Sequence, residues 1–517
     1  MASGDTPQRA WRAACPNCGA PVEFASSTSP VAVCSFCRST LAREGEALRR
    51  IGQSAELFDD HSPLQLGAAG RWQGAAFTLV GRLQMRYAQG SWNEWHALFD
   101  GGKSGWLSED NGRYVMAFAA PAPSALPRAE DLRAGLSFAI DGRSWHVASA
   151  ARVSVAAAQG ELPMAPQLQS EYLVVDLRNA QEEVATLDFA DPAQVHWSVG
   201  RAAALPELSL TGLREASEKT LGARGLACPS CGAALELKLA NTQSIVCHQC
   251  RAVVDVSKGV GADLAHFTQD SPHIAGGEPQ LPLGATASLA LGGQPKPWQV
   301  VGYAERCDIP DNADDDQVFW REYLLYNRDT GFAFLVDAED GWSWAVPLTG
   351  APQVSGSNLK WRGDTYRQLY SYTGMTTYVL GEFYWKLERG QRTVNFDYAN
   401  GAKRVNREEA GGEVTWSAGE TLDADVIAAA FKLPEALRAA LQREASPVTG
   451  SGSSVARTLI IVVVVLVVIV MMLKDCSRDS CDELRATFGQ ASNEYQQCLR
   501  SSPTTGRVGG GSFGGHK

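Results

Sequence analysis

Four pairs of cysteines, arranged as two matching sets, constrain the fold of this chain more than any other feature. Within each set 15 residues separate the two C-x-x-C pairs. This is the spacing of a four-thiolate zinc ribbon, in which two hairpin knuckles supply a tetrahedral set of sulfur ligands. The sequence therefore predicts two structural zinc ions, held by Cys15, Cys18, Cys34 and Cys37 in the first ribbon and by Cys228, Cys231, Cys247 and Cys250 in the second.

Two alternatives to this assignment stay open from the sequence. The cysteines could form disulfides, although residues 1–13 lack the apolar core of a secretion signal and disulfides require an oxidising compartment. His248 could replace a thiolate as ligand, but with four cysteines already in register we expect it beside the site or exposed. A closed four-cysteine site leaves no open position for substrate, which favours a structural metal.

Composition and charge limit the classes of function. A chain of 517 residues that is 45% hydrophobic and 20% charged is typical of several folded domains. The formal charge of −11 argues against nucleic-acid binding, because such binding needs clustered Lys and Arg to displace counterions. Fifty glycines and short alternating aromatic runs indicate antiparallel β-hairpins.

The pattern that follows the first ribbon returns after the second. Trp320-Arg-Glu-Tyr323 answers Trp92-Asn-Glu-Trp95, Gly381-Glu-Phe383 answers Gly160-Glu-Leu162, and Trp416-Ser-Ala-Gly419 answers Trp197-Ser-Val-Gly200. The region from Leu132 to Val147 also echoes Leu66 to Val80, so each β domain is expected to contain two similar units. The chain is therefore predicted to be mainly β, with one module of zinc ribbon plus antiparallel β domain used twice.

The predicted domain boundaries follow the chain. They are a disordered start at 1–13, zinc ribbon 1 at 14–42, β domain 1 at 60–205, zinc ribbon 2 at 226–256, β domain 2 at 280–425, a helical segment at 426–445, a linker at 446–454, a transmembrane helix at 455–473 and a tail at 474–517 with a disordered glycine-rich end. Residues 44–58 have weak helical spacing and suggest a short connector. In the helical segment Val426, Ala430, Leu433 and Leu437 are expected to share one face.

The run from Thr458 to Leu473 has no charged residue, and Arg457 and Lys474 flank it. Sixteen residues of helix span about 24 Å, and snorkelling of the flanking cations brings this close to a bilayer core of about 30 Å. A buried strand is the alternative. The number of basic residues is the same before and after this run, so charge alone does not predict its orientation in the membrane. Free thiolates persist in a reducing cytosol, which favours a cytosolic body and an exported tail. A Cys481–Cys498 disulfide is then plausible, whereas the states of Cys307 and Cys476 are open.

These features together resemble a bacterial family, the domain of unknown function 4178. The resemblance rests on Trp72 to Gly81, on Trp92-Asn-Glu-Trp-His96 and Gly105-Trp-Leu-Ser-Glu109, on Gly381-Glu-Phe-Tyr-Trp385 and on the Trp-Ser pairs, and it covers most of 60–205 and 280–425. In the second copy Trp106-Leu107 corresponds to Phe334-Leu335, and an acidic insertion at 311–316 precedes Trp320. The resemblance implies a membrane-tethered bacterial protein encoded near polyamine-synthase-like proteins, and it implies no established activity.

Candidate chemistry centres on Glu94 and Glu322, which recur at one position of both copies beside aromatic residues. A desolvated carboxyl can act as an acid, but in an alternating strand such residues more often serve structure or binding. No catalytic motif is found, so no enzyme activity and no catalytic residue are predicted.

The first hypothesis is a scaffold or sensor at the inner face of the bacterial cytoplasmic membrane, binding protein partners through aromatic strands. The alternatives are an enzyme or a small-molecule binder, for example of polyamine-related compounds, near Glu94 and Glu322, and a nucleic-acid binder.

Overall fold

A computed structural model describes most of the chain up to residue 441. The described residues are 11–25, 29–44, 47–54, 62–88, 90–110, 112–168, 170–191, 193–214, 226–239, 242–256, 264–269, 279–310 and 317–441, together with 489, 492 and 493. The chain divides into two compact units, Met1–Pro447 and Val448–Lys517. The predicted linker, transmembrane helix, acidic insertion and Cys481–Cys498 pair lie outside the described residues. Within the described part of the chain, no helix is both long enough and apolar enough to cross a bilayer.

The first unit is mainly β, as the alternating pattern predicts. The first half of the chain contains β1 Trp11–Ala14, β2 Pro21–Phe24, β3 Val31–Val33, β4 Ser39–Glu44, β5 Ala47–Gln53, β6 Ala69–Trp72, β7 Ala75–Arg86, β8 Ser91–Phe99, β9 Ser104–Asp110, β10 Arg113–Ala120, β11 Ser137–Ile140, β12 Arg143–Leu162, β13 Glu171–Arg178, β14 Glu183–Asp188 and β15 His196–Ala203. Two short 3-10 turns, Ala129–Asp131 and Leu205–Leu208, join or follow these strands.

The second half repeats this order. It contains β16 Leu226–Ala227, β17 Ala234–Leu235, β18 Ser244–Val246, β19 Val253–Asp255, β20 His266–Phe267, β21 Thr286–Leu289, β22 Lys296–Asp308, β23 Phe319–Asn327, β24 Gly331–Ala338, β25 Gly341–Pro347, β26 Gln353–Ser355, β27 Asn358–Trp361, β28 Asp364–Phe383, β29 Arg392–Asn400, β30 Lys403–Ala410 and β31 Glu413–Leu422, followed by helices α1 Ala424–Ala430 and α2 Glu435–Leu441.

Eight strands in each half pair into a closed antiparallel circuit. In ring 1 the order is β7-β8-β9-β10-β15-β14-β13-β12, and β12 returns to pair with β7. In ring 2 the order is β22-β23-β24-β25-β31-β30-β29-β28, and β28 returns to β22. Since the order and even the bulges match, the internal repeat that the sequence predicts is present strand by strand.

Each half of each ring buries a large apolar cluster of its own. In ring 1 a cluster around Trp95 packs β7 to β10, and a second cluster around Trp145 packs β11 to β15. Ring 2 has matching clusters around Trp298 and Trp361. This agrees with the expectation that each β domain contains two similar units, because each half buries its own aromatic residues.

A glycine in β7 and one in β12 allow these two strands to cross closely. A Cβ at Gly81 would lie 1.9 Å from the carbonyl oxygen of Glu161, and a Cβ at Gly160 would lie 2.2 Å from that of Val80. Gly160 also has a φ of 72°, which favours glycine. The equivalent Gly381 has a φ of 88°. The glycine of the repeated Gly-Glu motif is therefore required by backbone contact.

Two expectations about helices are wrong. Residues 47–53, which were expected within a helical connector, form β5 because they pair with β4 of ribbon 1. Of the predicted apolar face, Val426 is 49% exposed and Leu437 is 37% exposed, whereas Leu433 is buried. Ile427 and Ala428, which lie outside that face, are buried and pack against ring 2. Both errors arise because tertiary packing overrides a weak helical period.

Pro434 lies between the two short helices, where the sequence allows it. Helix α2 begins at Glu435, and the carbonyl of Pro434 accepts hydrogen bonds from the N–H groups of Leu437 and Arg438. A proline that starts a new helix loses no intrahelical hydrogen bond. Pro434 therefore precedes the first turn of a new helix and does not kink a continuous one.

Candidate metal centres and ligand cavity

All four knuckles of the two ribbons have the same backbone geometry. In ribbon 1, Gly19 N–H donates to the carbonyl of Cys15 over 2.9 Å, and Arg38 N–H donates to that of Cys34 over 2.9 Å. Gly232 and Arg251 repeat these bonds in ribbon 2. The four residues have φ values between 59° and 77°. The residue after each C-x-x-C pair therefore turns the chain back, so that both thiols of a pair point to one centre.

The thiol separations fit a tetrahedral metal. The Sγ atoms of Cys15 and Cys37 are 3.6 Å apart and those of Cys18 and Cys34 are 3.7 Å apart. In ribbon 2 the corresponding distances are 3.6 Å for Cys228–Cys250 and 3.7 Å for Cys231–Cys247. Zinc–sulfur bonds of about 2.3 Å in a tetrahedron place sulfur atoms about 3.8 Å apart. In each set all four Sγ atoms lie within 4.8 Å of one another, and each set could hold one metal ion.

The eight cysteines of the two sets are free thiols in the structure, and His248 is exposed and outside the four-cysteine group. The Ser39 hydroxyl hydrogen-bonds Cys37 and lowers its pKa to about 5, and the backbone N–H of Ala252 is the main cause that lowers the pKa of Cys250 to about 6. The backbone N–H of Ala20 opposes the change at Cys18, but burial and the neighbouring thiols raise its pKa to about 12. A lowered pKa favours the thiolate, which is the form that binds metal, so within each set the thiols differ in how readily they ionise.

A buried glutamate of each ring holds the neighbouring ribbon. The carboxylate of Glu382, on β28, accepts hydrogen bonds from the backbone N–H groups of Lys238 and Leu239, both at 2.9 Å to the nearer oxygen, and from the hydroxyl of Thr242 at 2.6 Å. Glu161, on β12, accepts one from the backbone N–H of Ala25. These contacts lie between the two knuckles of each ribbon, so the repeated Gly-Glu motif joins ribbon to ring.

One cavity of about 1390 Å³ is lined by residues of both rings, and both predicted glutamates, Glu94 and Glu322, lie in its wall. Alternation along the strands explains this placement, because Trp95 faces a core and its neighbour Glu94 faces the cavity. Among the described residues that line the cavity, eleven are acidic and seven are basic, so the wall carries a net negative charge.

Each glutamate is held by the tryptophan two residues before it. Trp92 donates Nε1–H to Oε1 of Glu94 over 2.7 Å, and Trp320 does the same to Glu322 over 2.7 Å. Glu94 also accepts from the Ser108 hydroxyl at 2.7 and 2.9 Å. Burial is the main cause that raises the pKa of Glu94 from 4.5 to about 7, and the hydrogen bonds oppose it.

Ring 2 places a cation beside its glutamate. Arg306 Nη1 lies 3.1 Å from Glu322 Oε1 and 2.9 Å from Glu408 Oε2, and Nη2 donates to the hydroxyl of Thr393. The guanidinium also lies 5.5 Å from the ring centroid of Trp320. Burial opposes the charge of Arg306, but the two carboxylates outweigh it and raise its pKa. The two matching glutamates therefore have different electrostatic surroundings.

The sequence did not reveal Ser108, Arg306 or Glu408 as site residues. The signal for Arg306 was present in the repeat, since it stands four residues after Gly302 as Met85 stands four after Gly81. The difference between Arg306 and Met85 can be interpreted only once the structure shows that Arg306 lines the cavity. The predicted correspondence of Trp106 with Phe334 is confirmed by register, because Trp106 pairs with His96 and Phe334 with Leu324.

Comparison with known proteins identifies the rings with a family. The model of the domain of unknown function DUF4178 matches residues 65–204 and 293–424, which is just over half of the chain. The chain belongs to the DUF4178 family. Each DUF4178 region contains one strand ring with its cavity-lining glutamate, while the ribbons and the C-terminal residues lie outside the matched regions. The comparisons with curated proteins and with solved structures find no match.

Proposed function

We propose that this DUF4178 protein is a membrane-tethered sensor that binds a small polar molecule in the cavity shared by its two rings. The observation that carries the proposal is the cavity of about 1390 Å³ with Glu94 and Glu322 in its wall. Ligand pockets are usually concave clefts or cavities in which polar groups fix the orientation of the ligand. The acidic lining favours a cationic ligand, and polyamine-related compounds are one such class.

The ribbons serve this function as zinc-bound structural clamps. Their sulfur spacing suits zinc, and a closed four-thiolate set leaves no position for substrate. Glu161 and Glu382 attach the ribbons to β12 and β28, the long strands that also contribute to the cavity wall. The metal is therefore proposed to hold the cavity strands in place, and the anchor at 455–473 to hold the unit at the inner face of the bacterial cytoplasmic membrane with the tail exported.

A binding role accounts for the site better than an enzymatic one or a partner-binding surface of aromatic strands. None of the fourteen tryptophans, all of which are described, belongs to the exposed class, so the aromatic residues chiefly fill cores. Glu94 has a raised pKa and accepts a hydrogen bond from the Ser108 hydroxyl, but the described residues that line the cavity include no histidine or cysteine that would complete a catalytic set. Protein partners of the sensor stay a prediction.

Thermal unfolding of the purified full-length chain tests the proposal. A panel of diamines, guanidinium compounds and dicarboxylates should contain cations that raise the unfolding temperature, because a ligand that binds only the folded state stabilises it by mass action. Glu94→Gln should reduce the shift, and the surface variant Glu130→Gln, at a side chain that is 68% exposed, should leave it unchanged. Stabilisation by no compound, or equally by the dicarboxylates, contradicts a cation sensor.

A further inference from the structure

The surroundings of Arg306 show how the wall of ring 2 holds a guanidinium group. Its side chain is only 9% exposed and its guanidinium contacts two carboxylates, one hydroxyl and the face of Trp320. Such planar, charge-assisted contacts with an aromatic face are a characteristic way in which proteins hold a guanidinium. Ring 2 therefore contains a guanidinium site that is filled by its own chain.

The strand register gives the equivalent positions in ring 1. Arg306 pairs with Trp320 on β23, and Met85 pairs with Trp92 on β8. Arg306 also pairs with Thr376 on β28, five residues before Gly381, while Met85 pairs with Val155 on β12, five residues before Gly160. Methionine thus stands in ring 1 where ring 2 has its internal cation, and Met85 packs in an apolar cluster.

Ring 1 keeps the carboxylates and the indole that contact the guanidinium in ring 2, while Tyr172 stands at the register position of Thr393. Glu94 and Trp92 match Glu322 and Trp320, with the same 2.7 Å hydrogen bond. The pairing of β14 with β15 and of β30 with β31 places Asp188 at the position of Glu408. The carboxylates and the indole are therefore present in ring 1, but Met85 replaces the arginine that they contact in ring 2.

The residue that packs against the tryptophan differs between the rings, and in ring 1 Tyr87 lies against Trp92. Tyr372, which packs against Trp320 in ring 2, corresponds in register to Ala151, and Ala151 lines the cavity. Glu94 accepts hydrogen bonds from Trp92 and Ser108, and no ion pair of Glu94 occurs among the described residues. Arg178, which also lines the cavity, lies 3.8 Å from Asp176.

We propose that ring 1 binds the guanidinium group of a small molecule at Glu94 and Trp92, in the way that ring 2 holds Arg306. The inference rests on the proposed ligand-binding function and specifies both the chemical class and the ring. In ring 2 the equivalent site is filled by Arg306 of the chain itself, so each chain binds one guanidinium ligand. The proposed binding is noncovalent, so no covalent bond is made or broken.

Isothermal titration calorimetry on the purified full-length chain tests this with two probes that differ in one group. Agmatine carries a guanidinium and an amine, and 4-aminobutylurea carries a neutral urea of the same shape in place of the guanidinium. We expect one agmatine per chain, bound at least tenfold more tightly than the urea. Equal affinity for the two probes would overturn the inference, since the urea lacks the charge.

Substitutions at the two equivalent positions provide reciprocal tests. Met85→Arg should supply an internal guanidinium to ring 1 and abolish agmatine binding, and Glu94→Gln should weaken it at least tenfold. Arg306→Met should open a second site, raising the stoichiometry to two. If Arg306→Met does not fold, the first two variants still decide the question. Agmatine binding that neither of them changes would refute the assignment to ring 1.

The outcomes separate this inference from the proposed function. If cations bind in the cavity but the urea competes equally and Met85→Arg has no effect, the sensor proposal stands and the guanidinium site fails. If no compound binds at all, both fail. Glu130→Gln, which changes an exposed carboxylate, serves as the matched control and should bind agmatine like the unmodified chain.

Discussion

Trp92 donates its indole N–H to Glu94 over 2.7 Å. The pKa of this glutamate is raised, and the tryptophan that contacts it is a fluorescent side chain in the cavity wall. The same bond between Trp320 and Glu322 has a buried arginine beside it. One repeated motif therefore has two different electrostatic surroundings. The first prediction uses this difference.

Glu94→Gln should stabilise the protein at high pH. The folded-state pKa of Glu94 is raised from 4.5 to about 7, so ionisation costs more in the folded chain than in the unfolded one. Its contribution is fully present below pH 4.5, falls as pH rises through about 7, and is then lost. We expect the variant to be more stable by about 1–3 kcal/mol at pH 8 and equal near pH 4.

Chemical denaturation at a series of pH values, followed by tryptophan fluorescence, measures this effect. Glu322→Gln is the matched variant, and it should destabilise the chain at pH 8 because it leaves Arg306 with one carboxylate fewer in a buried place. A Glu94→Gln curve parallel to that of the unmodified chain from pH 4 to pH 8 would show that Glu94 ionises normally.

Glu382→Ala should loosen ribbon 2 from ring 2. The change removes the acceptor of two backbone N–H groups and one hydroxyl, and Leu239 and Thr242 are buried, so their donors lose a partner away from water. Buried donors without partners cost about 1–3 kcal/mol each, and we expect a loss of about 2–4 kcal/mol.

Urea denaturation together with limited proteolysis checks this loss, with cleavage expected first in ribbon 2. Glu388→Ala is the control, since that carboxylate is 64% exposed and lies 3.6 Å from Lys386. Exposed pairs contribute little, so the control should stay within about 0.5 kcal/mol of the unmodified chain. Similar stability for both variants would mean that Glu382 does not hold the ribbon.

Elemental analysis of the purified chain should find two zinc ions. Cys15→Ser and Cys228→Ser should each lower the zinc content to one ion, because each removes a thiolate from a different set. Cys307→Ser is a matched control, since Cys307 is a buried free thiol outside both sets. A zinc content that Cys307→Ser lowers, or that Cys15→Ser leaves at two, would contradict the assigned ligands.

The full-length chain should sediment with membranes after lysis, and a chain that ends at residue 447 should not. The run from Thr458 to Leu473 supplies the apolar length, and the first compact unit ends at Pro447. Carbonate washing followed by immunoblotting measures the partition. Release of the full-length chain by the wash would show that this run does not span the bilayer.

Much of the fold was predictable because its signals are local. The C-x-x-C spacing implies knuckles, and alternation with turn glycines implies strands such as β8 and β9. Errors occurred where pairing or packing with another element decided the outcome. Residues 47–53 became a strand through pairing with β4, and the buried face of α1 was chosen by ring 2. In short segments such contacts outweigh local periodicity.

By itself the sequence determined the two four-cysteine sets, the duplicated order of strands and the recurrence of Glu94 and Glu322, because these depend on residue type and spacing along the chain. Only the tertiary structure decided that both glutamates line one cavity, that Glu161 and Glu382 hold the ribbons, and that Arg306 neutralises one site while Met85 leaves the other without a cation. The reason is that strands far apart in sequence close each ring, so the surroundings of a charge are set by residues that no local pattern connects.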